Sequence, residues 1–167
     1  MLQRLLHEEF VKIHLEAPNR EAALADMIAG IASKILPARK KAQILELILQ
    51  RERFGTTATG EGVALPHCAH AGVEEPLLLL GVSRKGIDYH ALDGQPVYFI
   101  LMMVFPEKYL DSRQRYQLLR EAESVFKDRF LRERLKICDS REEAREIFIR
   151  EAEHLALPSD SQVKTSA

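Results

Sequence analysis

The residues best suited to chemistry in this sequence lie between Arg51 and His70. Three glycines and three threonines fall within eight positions of that segment, and a short apolar run then stops at Pro66 and His67. Glycine adopts backbone conformations that other residues avoid and lets a ligand approach the main chain, whereas proline fixes its own φ and favours an extended residue before it. The sequence therefore predicts a glycine-rich loop, one short strand and a histidine held at the end of that strand.

His67 is the candidate nucleophile of this segment. Imidazole keeps a neutral, lone-pair-bearing nitrogen near neutral pH, so a histidine can accept a phosphoryl group. Phosphoryl transfer also needs cations and hydrogen-bond donors around the three equatorial oxygens. Arg51 can supply the cation, and the loop can supply backbone N–H groups and hydroxyls. The loop residues singled out for this purpose are Thr56, Thr57, Gly60 and Gly62.

Other interpretations of these residues stay open on residue types alone. His67 is consistent with a strand-end histidine bonded to backbone, and Arg51 with a solvated charge at a helix C-terminus. His67, Cys68 and His70 are residue types that bind zinc, but adjacent residues seldom converge on one ion and Cys138 has no sequence reason to be near. We therefore expect no metal, and we do not expect Cys68 to act as a catalytic thiolate.

The elements before this segment are predicted from hydrophobic periodicity and from residues that end helices and strands. A half-buried strand is predicted over Phe10–Leu15, and a helix is predicted from the Asn19 cap to Pro37. A second helix begins at about Ala38 and ends at the first glycine of the loop, a residue type suited to a left-handed cap. This places Arg51 in the last helical turn, beside the loop.

The elements after the segment are two strands and a helical C-terminal third. The first strand is predicted over Leu77–Val82, a loop over Arg84–Asp88, and the strongest strand over Val97–Phe105. Amphipathic helices follow, the last of them capped at Asp139/Ser140. Because helices and strands are interspersed, the predicted fold class is α/β, with a mixed β-sheet flanked by α-helices.

Composition limits the number of domains and the kinds of partner. The chain has 167 residues, 46% of them hydrophobic, which suits one domain; we assign residues 1–157 to it and predict a disordered C-terminal tail over 158–167. Its charge of -1 comes from 24 basic and 25 acidic residues that are intermixed, so neither nucleic acid nor membrane insertion is expected. Two cysteines in unrelated contexts are expected as reduced thiols, in a cytoplasmic protein.

The spacing of the segment resembles a known signature. The residues that carry the resemblance read Arg51-Glu52-x-x-Gly55-Thr56-Thr57-x-x-Gly60-x-Gly62-Val63-Ala64-Leu65-Pro66-His67. Without a gap, this pattern is similar to the active-site motif of the fructose/mannitol type 2 EIIA domains of the bacterial phosphoenolpyruvate-dependent phosphotransferase system (PTS), including the nitrogen-regulatory IIA branch. A looser likeness extends from about Leu5 to Leu155.

The resemblance implies a phosphocarrier that needs no cofactor and has the mannitol-type EIIA fold. In that family the histidine matching His67 accepts a phosphoryl group from phospho-HPr, a small carrier protein. It passes the group to a IIB domain or uses its phosphorylation state to regulate a target protein. The arginine matching Arg51 lies against the phosphoryl oxygens.

The sequence departs from the family pattern at two places, and the first departure motivates an alternative function. The family usually carries a second active-site histidine early in the helix after the long strand, and Asp111–Tyr116 contains none. Arg115 or Arg113 is the candidate for that place, but a guanidinium stays protonated and cannot share a proton with His67. His70 stands near a position where a basic residue is more usual and is a candidate replacement. The alternative is a non-catalytic IIA-like regulatory module that controls a transporter, kinase or transcription factor.

Overall fold

The structure, a computed structural model, describes residues 2–107 and 112–156. It is one mixed β-sheet with helices on both faces, which confirms the predicted fold class. The elements are two short 3₁₀ turns at Leu2–Arg4 and Glu8–Phe10; the strands β1 Val11–Lys12, β2 Val63–Ala64, β3 His67–His70, β4 Leu77–Ile87 and β5 Val97–Pro106; and the helices α1 Arg20–Ala29, α2 Ala38–Phe54, α3 Ser112–Lys127, α4 Arg129–Ile137 and α5 Arg141–Ala156.

Strand β5 lies at the centre of the sheet. β4 pairs with one of its edges in antiparallel fashion, β1 continues the sheet beyond β4, and β2 and β3 pair in turn along the other edge, both parallel to β5. The edge is interrupted at Leu65 and Pro66, because proline has no N–H to give to the ladder. Pairing stops at Ala64, opposite Ile100, and resumes at His67, opposite Met103.

Alternation along β5 divides the apolar residues into two cores, because successive side chains of a strand point to opposite faces. One face, here called the three-helix face, is covered by α3, α4 and α5. The other, the two-helix face, is covered by α1 and α2. The β5 residues in the first core are Phe99, Leu101, Met103 and Phe105, and those in the second are Val97, Ile100, Met102 and Val104.

Two of the predicted elements before the loop are too long. The strand predicted over Phe10–Leu15 is only Val11–Lys12, because Phe10 belongs to a 3₁₀ turn and His14 has a φ of 54°, which ends extended pairing. The predicted Asn19 cap is present, since its side chain accepts a hydrogen bond from the Ala22 N–H at 2.9 Å. The helix nevertheless ends at Ala29 rather than at Pro37, and the buried residues that follow it continued the apolar pattern without being helical.

The loop predicted over Arg84–Asp88 is also wrong. β4 continues to Ile87, and its pairing with β5 is irregular between Val82 and Ile87. In this irregular part Gly86 has a φ of 83°, and its N–H donates to the Ser83 hydroxyl at 3.1 Å. A bulged strand exposes polar residues and so imitates a loop in sequence.

The predicted cap of the last helix is confirmed. The Ser140 hydroxyl accepts from the Glu143 N–H at 3.0 Å, and the Glu143 carboxylate accepts from the Asp139 N–H at 3.1 Å. The tail predicted at 158–167 lies outside the described residues. Within the ranges that the structure describes, no helix is both long and apolar enough to span a lipid bilayer.

Arg84 joins the irregular part of β4 to the turn between α4 and α5. One nitrogen of its guanidinium, Nη2, lies 2.9 Å from the Cys138 carbonyl oxygen, 3.2 Å from that of Ile137 and 2.6 Å from the Asp139 carboxylate. The neighbouring Lys85 makes a single, largely exposed ion pair with Glu16. Position 84 therefore holds two elements together, and position 85 lies in solvent.

We predict that Arg84→Ala lowers the free energy of unfolding by about 1–2 kcal/mol, because two helix-terminal carbonyls lose a charged donor. Lys85→Ala is the matched control and should change it by less than about 0.5 kcal/mol. Urea denaturation of both variants measures the difference. Equal losses at the two positions would contradict the role of Arg84.

Candidate active site

His67 is the first residue of β3 and follows β2 after the two residues Leu65 and Pro66, so it lies at a strand end. Its side chain is half-buried. The ring Nδ1 lies 2.9 Å from the carbonyl oxygen of Leu65. A carbonyl oxygen can only accept, so Nδ1 of the neutral ring carries the hydrogen and Nε2 carries the free lone pair. The hydrogen bond to the Leu65 carbonyl thus decides which ring nitrogen keeps its lone pair.

Burial lowers the pKa of His67 below the ordinary histidine value, because the charged ring is poorly solvated there. The hydrogen bond to the Leu65 carbonyl raises the pKa, and the positive charge of Arg51 lowers it further. The negative charge of Glu52 acts in the opposite direction. The net shift is downward, so the imidazole is neutral at neutral pH.

Arg51 lies in the last turn of α2, as predicted, with its guanidinium exposed. Its Nη1 donates to the carbonyl oxygen of Gly55 at 2.6 Å. Gly55 itself has a φ of 173°, so the expected left-handed cap is wrong and the helix ends in extended backbone. The Arg51 side chain takes over the capping of this helix end and is held beside the start of the loop.

The glycine-rich loop turns back toward the sheet through residues with positive φ. Glu61 has a φ of 58° and Gly62 a φ of 74°. A Cβ on Gly62 would come within 2.8 Å of the Tyr98 ring, so this position needs glycine for both space and conformation. Gly60 packs against Asp93, whose carboxylate also accepts from the Gln95 N–H and thereby forms the expected turn.

The two threonines at the start of the loop have different free hydrogen-bonding capacity. Thr57 gives both of its donors to Glu52: the backbone N–H lies 3.0 Å from Oε2 and the hydroxyl 2.6 Å from Oε1. Thr56 accepts from the Ala58 N–H at 3.2 Å, which leaves its own O–H available to a ligand. Of the two hydroxyls, Thr56 is therefore the one that can donate to a phosphoryl oxygen.

Two residues of the site were missed by the sequence reasoning. Glu52 is part of the motif, but the sequence assigns it no role; its fully buried side chain accepts the hydroxyl of Thr57. Arg132 of α4 pairs with Glu61 at 2.7 Å and also donates to the carbonyl of Phe126 at the end of α3. The adjacency of Glu52 to Arg51 was a usable signal, whereas nothing in the sequence links α4 to the loop.

The loop borders open space on the side of α3. A cleft of about 240 Å³ lies between the loop and the C-terminal half of that helix. Its lining residues include Thr57, Thr59, Gly60, Glu123 and Lys127.

His70 is not brought to His67. Residues three apart on a strand point to opposite faces, and the ring of His70 lies against α2. Its Nδ1 accepts from the Gly72 N–H at 3.0 Å, and its Nε2 lies 3.3 Å from the side-chain oxygen of Gln43. This ring is a structural contact between β3 and α2.

Arg113 and Arg115, the candidates for the place of the second histidine, lie on α3. This helix is one of the three that cover the three-helix face, toward which His67 points. Arg115 is half-buried on this helix, while Arg113 is exposed and lines a groove with Tyr116 and Leu155. Asp111 and the side chain of Ser112 lie outside what the structure describes.

Cys68, on the two-helix side of β3, is a free thiol. Burial raises its pKa to about 12, so the sulfur is neutral and non-nucleophilic at neutral pH. Cys138 is a second free thiol, and it is buried.

Comparisons with known proteins agree with this architecture. A nitrogen regulatory protein of Pseudomonas aeruginosa is 28% identical over 124 residues, which is 74% of this chain and 79% of that protein. The PTS system fructose-specific EIIABC component of Bacillus subtilis is 30% identical over 130 residues, 75% of this chain but only 20% of that protein. The crystal structure of nitrogen regulatory protein IIA-Ntr from Neisseria meningitidis matches with a TM-score of 0.78 at 25% identity, covering 88% of this chain and 98% of that one.

The sequence profile of one family matches residues 4–151, which includes the loop, the sheet and nearly all of the helices. That family is described as the EIIA 2 component of the phosphoenolpyruvate-dependent sugar phosphotransferase system. The chain belongs to this EIIA type 2 family.

Proposed function

We propose that the chain is a PTS phosphocarrier that accepts a phosphoryl group from phospho-HPr on Nε2 of His67. The group then passes to a IIB domain, or the phosphorylated state regulates a target protein. The observation that carries the proposal is the hydrogen bond from Nδ1 of His67 to the Leu65 carbonyl, because it leaves Nε2 as the free base. From the reduced thiols expected in the sequence, we place the protein in the cytoplasm.

The transfer balances without a second histidine. The lone pair of Nε2 forms the new N–P bond while the N–P bond of the phosphohistidine on HPr breaks. Nδ1 keeps its hydrogen, and the product ring is a cation whose N–H still donates to the Leu65 carbonyl. Because no proton leaves His67 in this step, the absence of histidine from Asp111–Tyr116 removes no proton acceptor that the step requires.

Arg51 and the loop would act on the phosphoryl oxygens. A cation and fixed donors stabilise the charge on a transferring phosphoryl group better than mobile water does. The guanidinium of Arg51 is already held at the start of the loop by its bond to the Gly55 carbonyl. The Thr56 hydroxyl and the glycine-flanked main chain near Gly60 and Gly62 are the candidate neutral donors.

Regulation is the second candidate function. It is favoured by the lack of histidine in Asp111–Tyr116 and by the relatives named as nitrogen regulatory proteins. Affinity capture with wild type and His67→Glu separates the two modes of binding. Different partner sets indicate regulation through phosphorylation, whereas identical sets indicate a binding module that does not read the state of His67.

We predict that incubation with phosphoenolpyruvate, enzyme I and HPr adds one acid-labile phosphoryl mass to the wild-type chain. His67→Ala should lack it. His70→Ala is the matched control, since that ring bonds Gln43 and Gly72 and should leave the adduct intact. Intact-protein mass spectrometry reads the result. Persistent absence of the adduct with cognate carriers would refute the phosphocarrier proposal.

Arg51→Gln should slow single-turnover phosphorylation by about tenfold to a hundredfold, because one preorganised cation at the transferring group is lost. Arg53→Gln is the control, since Arg53 is exposed in the same helical turn. Quenched-flow measurement with phospho-HPr compares the two variants. If both substitutions slowed phosphorylation equally, Arg51 would act only through the general surface charge, which would contradict its specific role.

The lowered pKa of His67 predicts the direction of the pH dependence. Only the neutral ring has a lone pair at Nε2, so the acceptor stays competent until the pH falls through the lowered pKa. NMR titration of the His67 ring should give a midpoint below that of the same histidine in the urea-unfolded chain. Arg51→Gln should move the folded midpoint upward, because it removes a positive charge. A midpoint equal to or above the unfolded value would contradict the burial argument.

A further inference from the structure

Glu52 is a charged residue of the interior that the proposed mechanism has not used. Its side chain has no exposed surface, although it follows the exposed Arg51 in the last turn of α2. Taking a carboxylate out of water costs several kcal/mol unless hydrogen bonds and an opposite charge replace the water. The partners that compensate Glu52 therefore indicate what it stabilises.

The short contacts of Glu52 are with the loop. Its two carboxylate oxygens accept the N–H and the hydroxyl of Thr57, at 3.0 Å and 2.6 Å. The guanidinium of Arg20 lies farther away, at 4.0 Å, and is closer to Glu21, at 3.1 Å. A carboxylate that served only to hold α1 would be expected to lie at hydrogen-bonding distance from Arg20 and farther from Thr57.

The two bonds to Thr57 join the loop to the helix end that carries Arg51. α2 ends at Phe54, and the chain then turns back so that Thr57 contacts Glu52 in the last turn of α2. Arg51 and Glu52 hold the start of the loop from two sides, since Arg51 binds the Gly55 carbonyl. Hydrogen bonds thus join the cation and the first loop residues to the same helix end.

We propose that Glu52 is a positioning residue of the phosphoryl site, which fixes the start of the phosphate loop through its two hydrogen bonds to Thr57. The proposal rests on the phosphocarrier function. During transfer the phosphoryl oxygens stay anionic. Arg51 serves these oxygens as a cation, and Glu52 holds the loop whose donors surround them.

The charge of Glu52 also acts on the pKa of His67. It raises the pKa of that histidine, against the lowering caused by burial and by Arg51. Arg51 and Glu52 both belong to the last turn of α2 and act on the pKa of this ring in opposite directions. A more basic imidazole is a better nucleophile toward phosphorus.

Glu52→Gln removes the negative charge of this side chain and keeps its shape. The amide oxygen can still accept the Thr57 N–H, and the amide nitrogen can donate to a rotated Thr57 hydroxyl. Thr57→Val removes the hydroxyl and keeps the charge. Glu46→Gln is the control, because Glu46 is exposed on the same helix and bonds only locally, to Gln50.

The readout for charge is the NMR titration midpoint of His67, which needs no phosphoryl transfer. We expect a lower midpoint in Glu52→Gln than in wild type and no change in Glu46→Gln. We also expect Glu52→Gln and Thr57→Val to accept phosphoryl from phospho-HPr about tenfold more slowly, as loosened positioning predicts.

In a folded Glu52→Gln, a rate of phosphoryl transfer equal to that of wild type would overturn the inference, and a slower rate together with a lowered His67 midpoint supports it. If Glu52→Gln does not fold, as judged by circular dichroism, Thr57→Val decides: a slower transfer supports positioning, and an unchanged rate overturns it. If the wild type accepts no phosphoryl group, the phosphocarrier proposal fails, while the titration still tests the charge of Glu52.

Discussion

The hydrogen bond between Nδ1 of His67 and the Leu65 carbonyl is the interaction on which the site depends. It assigns the proton of the neutral ring to one nitrogen and the lone pair to the other. The carbonyl belongs to the short segment between β2 and β3, two residues before the ring in the chain, where Pro66 has no N–H to give to the ladder. This local arrangement decides which ring nitrogen keeps its lone pair.

The rest of the architecture holds the segment between β2 and β3 in place. β5 is buried on both faces and pairs with the chain at Ala64 and again at His67. Between them the Pro66 carbonyl accepts a hydrogen bond from the Met103 N–H at 2.9 Å, so this segment is also held to β5. The end of α2 supplies Arg51 and Glu52 to the same edge, and the Arg132–Glu61 pair holds the far end of the loop against α4.

Much of this could be predicted from the sequence, and the rest could not for identifiable reasons. The second helix, the long central strand, the caps at Asn19 and Ser140 and the position of Arg51 follow from local patterns, and all are present. The helix predicted to reach Pro37 failed because burial of an irregular segment produces the same apolar spacing as a helix. The opposite orientations of His67 and His70 were implicit in strand alternation, but only once both were known to lie in one strand. Arg132 could not have been found, since its contact with Glu61 is made by tertiary packing alone.

The most direct test of the account is an NMR experiment on the nitrogens of the His67 ring, recorded before and after incubation with phosphoenolpyruvate, enzyme I and HPr. We predict the tautomer with hydrogen on Nδ1 in the free protein, and a phosphorus coupling at Nε2 with the Nδ1 hydrogen retained in the phosphorylated one. Hydrogen on Nε2 in the free protein, or a phosphoryl group on Nδ1 or on another residue, would contradict it.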